Sequence, residues 1–344
     1  MKSSVNRPTE NAMTTLVLSH TEVLELLPIK ECIARMRAAL IALAAGEAYQ
    51  PLRTIIRPPD AKGVMGLMPA YMSGGSSAHQ AAFGLKAICI FPGNPAQGLD
   101  SHQGSVQLFS AETGELLAMM NASAITAIRT AAVSAVATDL LARVDACSLA
   151  MLGTGVQARS HLAAMSQVRS LKRCRIASRH LEHAQKFAEE MRSNFSFALE
   201  PVATVEEALE GADLIVTATT AAEPIVRREW ISAGAHLNLV GSSTPGAREV
   251  DSETMAAASL FVDRRESIIN EAGDYLLAVR DGVIGPNHIR AEIGEVLKGD
   301  KPGRTSPDEI TLFKSLGLAI EDLFAAESLY KKAMELDVGT WVEF

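Results

Sequence analysis

One abrupt switch from strand to helix constrains this chain more than any other stretch. Ser148-Leu-Ala-Met-Leu152 is a short apolar run that ends in Gly153-Thr-Gly-Val-Gln-Ala158, and Leu162, Met165 and Val168 then follow at helical spacing. The order is strand, tight turn, helix. In the Gly-x-Gly-x-x-Ala spacing each small residue has a task. Gly153 permits the sharp turn, Gly155 lets the backbone approach a pyrophosphate, and Ala158 lets helix and strand pack closely. The free amides at the helix start favour phosphate. The spacing alone also fits an ordinary strand–helix turn. Cys174-Arg-Ile-Ala-Ser178, a second apolar stretch one helix later, supplies the context a βαβ unit requires, and the stretch is therefore read as dinucleotide-binding.

The alternation continues. Val202 is read as a short strand, 205–209 as a helix, and 213–218, 236–240 and 260–263 as buried strands. The fold class is α/β: a Rossmann-like parallel-sheet domain plus a second α+β domain. In the latter, residues 16–18 form a strand, Ser19 and Glu22 form a capping box, and 29–45 form a helix with Ile33, Met36, Leu40 and Leu43 on one face, ended by Gly46. From Pro51 the period becomes two, with strands at 52–57, 63–69, 84–91, 105–110 and 116–121. A helix spans 125–141. Helices are expected at 271–279 and 289–297, and a last one reaches about Leu336 and returns to the N-terminal half. The division is a flexible extension over 1–15, one domain from 16–130 with 305–344, and a dinucleotide domain over 131–304.

Composition narrows the function. The net charge of −8 over 344 residues argues against nucleic acid. Asp139, Arg143 and Asp145 interrupt the apolar run 131–152, so no membrane role is expected. Cys32, Cys89, Cys147 and Cys174 are widely spaced, which predicts no disulfide framework, no metal site and a cytoplasmic location; Cys89 and Cys147 are read as core residues. Hydrolase, zincin and Walker motifs are missing from the sequence.

Several side chains propose a site. The second Rossmann strand ends in Ala177-Ser178-Arg179-His180, without the acid that would hold the ribose of NAD. Ser178 and Arg179 suit a 2′-phosphate, so NADP(H) is preferred over NAD(H). The rival reading of Arg179 is a solvated surface arginine. Lys86 interrupts a buried-looking strand and needs an anion or a shifted pKa. Arg53 and Arg129 also sit among apolar or small neighbours. Singly, each reads as a structural ion pair; together they make a carboxylate pocket. His102, in Ser101-His-Gln-Gly104, binds a phosphate or holds a turn. Asp274 and Glu292 are read as solvated helix residues.

These stretches converge. Pro51-Leu-Arg53, Gly66-Leu-Met-Pro-Ala-Tyr71, Gly84-Leu-Lys86, Ser101-His-Gln103, Ile125-Thr-Ala-Ile-Arg-Thr-Ala-Ala-Val-Ser-Ala135, Gly153-Thr-Gly-Val-Gln157, Gly241-Ser-Ser-Thr-Pro245 and Phe313-Lys-Ser-Leu-Gly317 resemble the ornithine cyclodeaminase/μ-crystallin family over nearly the whole chain. The resemblance implies a homodimer whose N-terminal domain supplies dimer contacts and the substrate pocket. It implies that Arg53, Lys86 and Arg129 contact a substrate carboxylate. It places Gly153, Gly155, Val156, Gln157, Ser178 and Arg179 on cofactor positions, and Ser101, His102, Thr219 and Ser243 toward the cofactor or active site. Ornithine cyclodeaminases look like Gly-Gly-Asp-Cys-Pro where this chain has Gly241-Ser-Ser-Thr-Pro245, so Ser243 replaces their catalytic aspartate; the ketimine reductases of the family carry serine there. Asn121 replaces an aspartate common before the Ile-Thr element. The expected activity is NAD(P)H-dependent reduction of a cyclic imino acid. The alternatives are ornithine cyclodeaminase, an alanine- or opine-type dehydrogenase, and a non-catalytic binding protein.

Overall fold

The computed structural model describes residues 14–74 and 79–343, in two compact units. Of the described residues, unit 1 comprises those up to Arg129 together with 318–343, and unit 2 is 130–317. The return to unit 1 therefore begins at Leu318, not at residue 305, because the intervening stretch supplies a central strand to unit 2. The expected extension 1–15 lies outside the described residues, except that Thr14 and Thr15 open the first strand.

Unit 1 is a mixed sheet with helices on it. Its strands are β1 (Thr14–Leu18), β2 (Ala48–Tyr49), β3 (Thr54–Ile56), β4 (Val64–Met72), β5 (Ala82–Ile90), β6 (His102–Ser110) and β7 (Leu116–Asn121), with a C-terminal strand Thr340–Glu343 on the far edge. β4 to β7 form an antiparallel meander, β7 pairs with β1 in parallel, and β2 and β3 both pair with β4. Helix α1 (His20–Leu26) carries the expected capping box between Ser19 and Glu22. Helix α2 (Ile29–Ala44) is followed by Gly46 in the left-handed conformation, φ 76°. β5 shows why a strand forms there: Ala82, Gly84, Lys86 and Ile88 are buried while Phe83 is exposed, a period of two. The C-terminal helix (Ala319–Leu336) lies on that buried face. A Cβ on Gly84 would fall 2.8 Å from Leu323 Cδ1, so the glycine lets helix and strand approach.

Helix α3 (Ala122–Leu141) begins at Ala122, earlier than its apolar pattern suggests, because Asn121 caps it: Ala124 N–H donates to Asn121 Oδ1 at 2.9 Å. The asparagine thus keeps a cap worth about 1 kcal/mol, as an aspartate would. This helix is long and apolar enough to cross a membrane, but its side chains are those of a buried core helix.

Unit 2 is a parallel sheet of β8 (Ser148–Leu152), β9 (Arg173–Ala177), β10 (Ala198–Pro201), β11 (Leu214–Thr217), β12 (His236–Leu239), β13 (Ser259–Val262), β14 (Ile289–Glu292) and β15 (Thr311–Lys314). Their order is β10-β9-β8-β11-β12-β15-β13-β14. The chain moves outward from β8 to β10 and then returns to β11 beside β8, which makes β8/β11 the topological switch point. Helix α4 (Val156–Val168) follows β8, and α5 (Leu181–Met191) follows β9.

Two elements differ from expectation. The helix expected at 289–297 is strand β14 followed by one short helical turn. Ile289 and Ala291 are buried while Arg290 and Glu292 are half-buried, and Glu292 N–H donates to Glu295 Oε2 at 2.8 Å to start the turn. β15 is a fully buried strand of unit 2, within the 305–344 stretch expected in the other domain. Cys89 and Cys147 are half-buried, whereas Cys32 and Cys174 are the core cysteines.

Candidate active site

In unit 1 the candidate site holds, among the described residues, a buried cluster of Lys86, Arg129, Glu321 and Asp322. Lys86 is 3% exposed and Arg129 4%. Lys86 Nζ lies 2.8 Å from Asp322 Oδ2 and 3.5 Å from Thr126 Oγ1. Arg129 Nε donates to Asp322 Oδ1 at 3.1 Å and its Nη1 to Glu321 Oε2 at 2.7 Å. The lysine thus has both the anion and the shifted pKa that its burial requires. Burial and the neighbouring Arg129 push its pKa down to about 8, against the opposing pull of Asp322 and Glu321. For Arg129, burial opposes the charge, but Asp322 and Glu321 outweigh it and hold the guanidinium above its usual range.

His102 opens β6, and its Nδ1 is 3.0 Å from Ser101 Oγ. Burial, then the charges of Lys86 and Arg129, lower its pKa and keep the ring neutral, with Asp100 opposing. Arg53 stands one residue before β3. Thr54 pairs with Leu67, and Met68 pairs with Lys86. Continuing that register sets Arg53 opposite Met68 and in one cross-strand row with Lys86, two strands or roughly 10 Å away. Asp100 Oδ2 also accepts from Ser123 Oγ at 2.9 Å, tying the loop before β6 to the start of α3.

Glu321 and Asp322 were not among the residues singled out from the sequence. Their signal was two acids flanked by Ile320, Leu323 and Phe324, on a helix that otherwise buries apolar side chains.

In unit 2 the proposed cofactor residues lie at the carboxyl ends of parallel strands. Gly153 has φ 110°, and a Cβ there would fall 2.4 Å from Ala218 O. Gly155 is the N-cap of α4 without a side-chain cap, and a Cβ there meets nothing within 4 Å. Val156 is exposed, Gln157 half-buried, Ser178 half-buried and Arg179 exposed. The tight turn, the open glycine and the uncapped helix start fit the pyrophosphate of a dinucleotide.

Thr219 and Ser243 belong to loops after β11 and β12. Thr219 Oγ1 donates to Glu249 Oε1 at 2.7 Å, so its side chain is engaged within the protein. Glu249 is a buried hub. It also accepts from Thr219 N at 3.0 Å, Thr217 Oγ1 at 2.6 Å, Gly241 N at 2.8 Å and Ser242 N at 3.3 Å. Asp274, expected in solvent, is 1% exposed: its Oδ1 accepts from Glu249 N at 2.7 Å and its Oδ2 lies 2.9 Å from Lys314 Nζ. Lys314 also donates to Ser242 O at 2.5 Å. The supports of the Thr219 and Ser243 loops, Glu249, Asp274 and Lys314, were missed from sequence. Glu292 is half-buried, and burial raises its pKa. Ser243 itself is exposed, in a loop, Gly241–Gly246, that contains no acid.

Comparison with known proteins follows the same lines. The model of the ornithine cyclodeaminase/mu-crystallin family matches residues 13–337. The ketimine reductase mu-crystallin of Mus musculus is 43% identical over 285 residues, 83% of this chain and 85% of that protein. The Δ1-pyrroline-2-carboxylate reductase of Thermococcus litoralis, solved with NADH and L-proline, superposes with a TM-score of 0.91 at 41% identity, covering 95% of this chain and 99% of that one. An archaeal alanine dehydrogenase dimer with bound NAD gives 0.89 at 34% identity, covering 96% and 100%.

Proposed function

The chain belongs to the ornithine cyclodeaminase/mu-crystallin family, and from that premise we propose that it is an NAD(P)H-dependent reductase of cyclic ketimine carboxylates. The substrates are Δ1-pyrroline-2-carboxylate or Δ1-piperideine-2-carboxylate, and the products L-proline or L-pipecolate. The observation that carries the reading is Lys86: a buried lysine with a pKa of about 8, held beside Arg129. Imine reduction needs a proton at nitrogen as well as a hydride at carbon, and a donor with a pKa near the working pH is suited to that step. When bound, the nicotinamide supplies the hydride. Arg129, oriented by its two acids, and Arg53 hold the substrate carboxylate. Lys86 positions it and supplies or relays the proton. His102, neutral, is free of charge competition with the cations.

In unit 2 the α4 amides behind Gly155 hold the pyrophosphate. Ser178 and Arg179 close β9 without an acid, which supports NADP(H) over NAD(H). Ser243 supports reduction over cyclodeamination, because serine does not ionise at neutral pH. Tyr49, Ile55 and Phe83 leave apolar surface on the unit 1 sheet, which supports a homodimer. Four free cysteines accord with a reducing cytoplasm. The likeness to alanine dehydrogenase favours a second reading, reduction of an acyclic imino acid.

The test is loss of nicotinamide absorbance with each cyclic imine, in parallel with pyruvate plus ammonia, and an ammonia assay with ornithine and NAD. Fast NADPH oxidation with a cyclic imine is expected. Turnover confined to pyruvate would establish the second reading, and ammonia released from ornithine would overturn both.

A further inference from the structure

Asp322 is shared between two cations, one on each oxygen. Oδ2 faces Lys86 Nζ at 2.8 Å, and Oδ1 takes Arg129 Nε at 3.1 Å. Titratable groups around Lys86 come from four elements. Arg129 comes from α3, Glu321 and Asp322 from the C-terminal helix, and His102 from β6, where the ring is held neutral. Cys32 of α2 shares the cluster, and burial pushes its thiol up so that it adds no charge. In such a place burial and Arg129 both favour the neutral amine. Asp322, in direct contact, opposes them first, and the more distant Glu321 after it. The contact is set by the fold: Gly84 lets Leu323 press onto β5, and Asp322, one residue earlier on the helix, meets Lys86, two residues later on the strand.

We infer that Asp322 is the positioning residue of the site, holding the Lys86 side-chain nitrogen on one carboxylate oxygen and fixing it beside Arg129 with the other. This rests on the preceding reading of Lys86 as the proton source. Arg129 is fixed by the same carboxylate through its Nε. One helix of the C-terminal segment therefore governs both the proton donor and the orientation of the carboxylate anchor.

The experiment follows the Lys86 side-chain nitrogen by NMR in ligand-free protein carrying nitrogen-15 lysine, with the resonance assigned by its loss in K86R. In the wild type it should titrate at about 8. D322N should lower that value by about one to three pH units, the effect of removing a contacting opposite charge. E321Q should lower it less, and D322E should restore part of it. A D322N value equal to the wild type overturns the inference. Should D322N fail to fold, the wild type decides: a Lys86 already neutral at about pH 6.5 overturns it, and titration at about 8 supports it. In turnover with a cyclic imine, the alkaline fall of kcat/KM should move down with the lysine in D322N, whereas a uniform loss without displacement would mean a merely structural aspartate. A wild type that turns over no ketimine would overturn the reaction and leave the lysine titration to judge Asp322 by itself.

Discussion

The two glycines of the strand–helix turn do different work, and a methyl group separates them. In Gly153→Ala the new Cβ would lie 2.4 Å from Ala218 O, a backbone atom, in a residue whose φ is 110°. A non-glycine residue there costs about 1–3 kcal/mol in strain. Forcing the ends of β8 and β11 apart adds about 1–3 kcal/mol. The sum, about 2–6 kcal/mol, is a large share of a typical folding stability, and the melting temperature should fall by about 5–15 °C. Gly155→Ala is the converse. Its φ is −80° with extended ψ, which alanine adopts freely, and its Cβ meets nothing within 4 Å. Stability should be unchanged or rise by about 0.4–1 kcal/mol. On the proposed reading, the methyl instead occupies the space in which the pyrophosphate approaches the amides. Losing one charge-assisted bond there costs about 1.5–3 kcal/mol, or about 10- to 100-fold in Kd. Thermal melts of both variants and titration with NADPH and NADH by fluorescence test this. A Gly155→Ala protein that binds the dinucleotide taken up by the wild type equally well, or a Gly153→Ala protein that melts like it, would refute the reasoning.

The glycine turn was legible because its chemistry is local: turn, close approach and helix start fall within six residues. The Ser19–Glu22 capping box was legible for the same reason. Lys86 and Arg129 could be found from sequence as charges in apolar surroundings, but their partners could not be assigned. Glu321 and Asp322 stand in the first turn of their helix, where acids are favoured by the helix dipole whether or not they touch anything. The burial of Asp274 is hidden in the same way, since it opens the helix Gly273–Arg280 and its buried partner Lys314 is distant in sequence. β14 shows a different failure. Ile289-Arg-Ala-Glu alternates in a run too short for its period to be separated from that of the following helical turn. Local backbone demands were thus readable, and long-range charge pairing was not, because nothing in a sequence fixes which of two acids meets which base.

The buried ion cluster should respond asymmetrically to truncation. Arg129→Met removes the guanidinium that Glu321 and Asp322 share and should cost about 3–5 kcal/mol in urea unfolding. Lys86→Met leaves Asp322 paired with Arg129 and should melt closer to the wild type, while kcat/KM falls about 10²- to 10⁴-fold; equal melts would show that the cluster is not shared as the distances indicate. In Glu249→Gln an amide nitrogen must face N–H or O–H donors whichever way it turns, so unit 2 should lose about 3 kcal/mol or more, and an unchanged melt would contradict the hub. The last prediction concerns acid. His161 is fully buried; its Nδ1–H donates to Gln157 O at 2.7 Å, which leaves Nε2 to accept from Ser134 Oγ at 2.9 Å. Burial depresses its pKa to about 4, with the Gln157 bond opposing, and burial together with Arg304 and Arg169 depresses that of His236 to about 3. Between about 6.5 and 4 the unfolded chain therefore binds protons that the folded chain does not, so folding stability must fall as the pH drops through that window. At about 1.4 kcal/mol per pH unit, His161 alone accounts for about 3 kcal/mol by pH 4. Other groups titrate in the same range, so the difference between the wild type and His161→Gln isolates this one. Urea unfolding at a series of pH values should give a shallower dependence in the variant, and parallel curves would mean that His161 is charged in the folded protein.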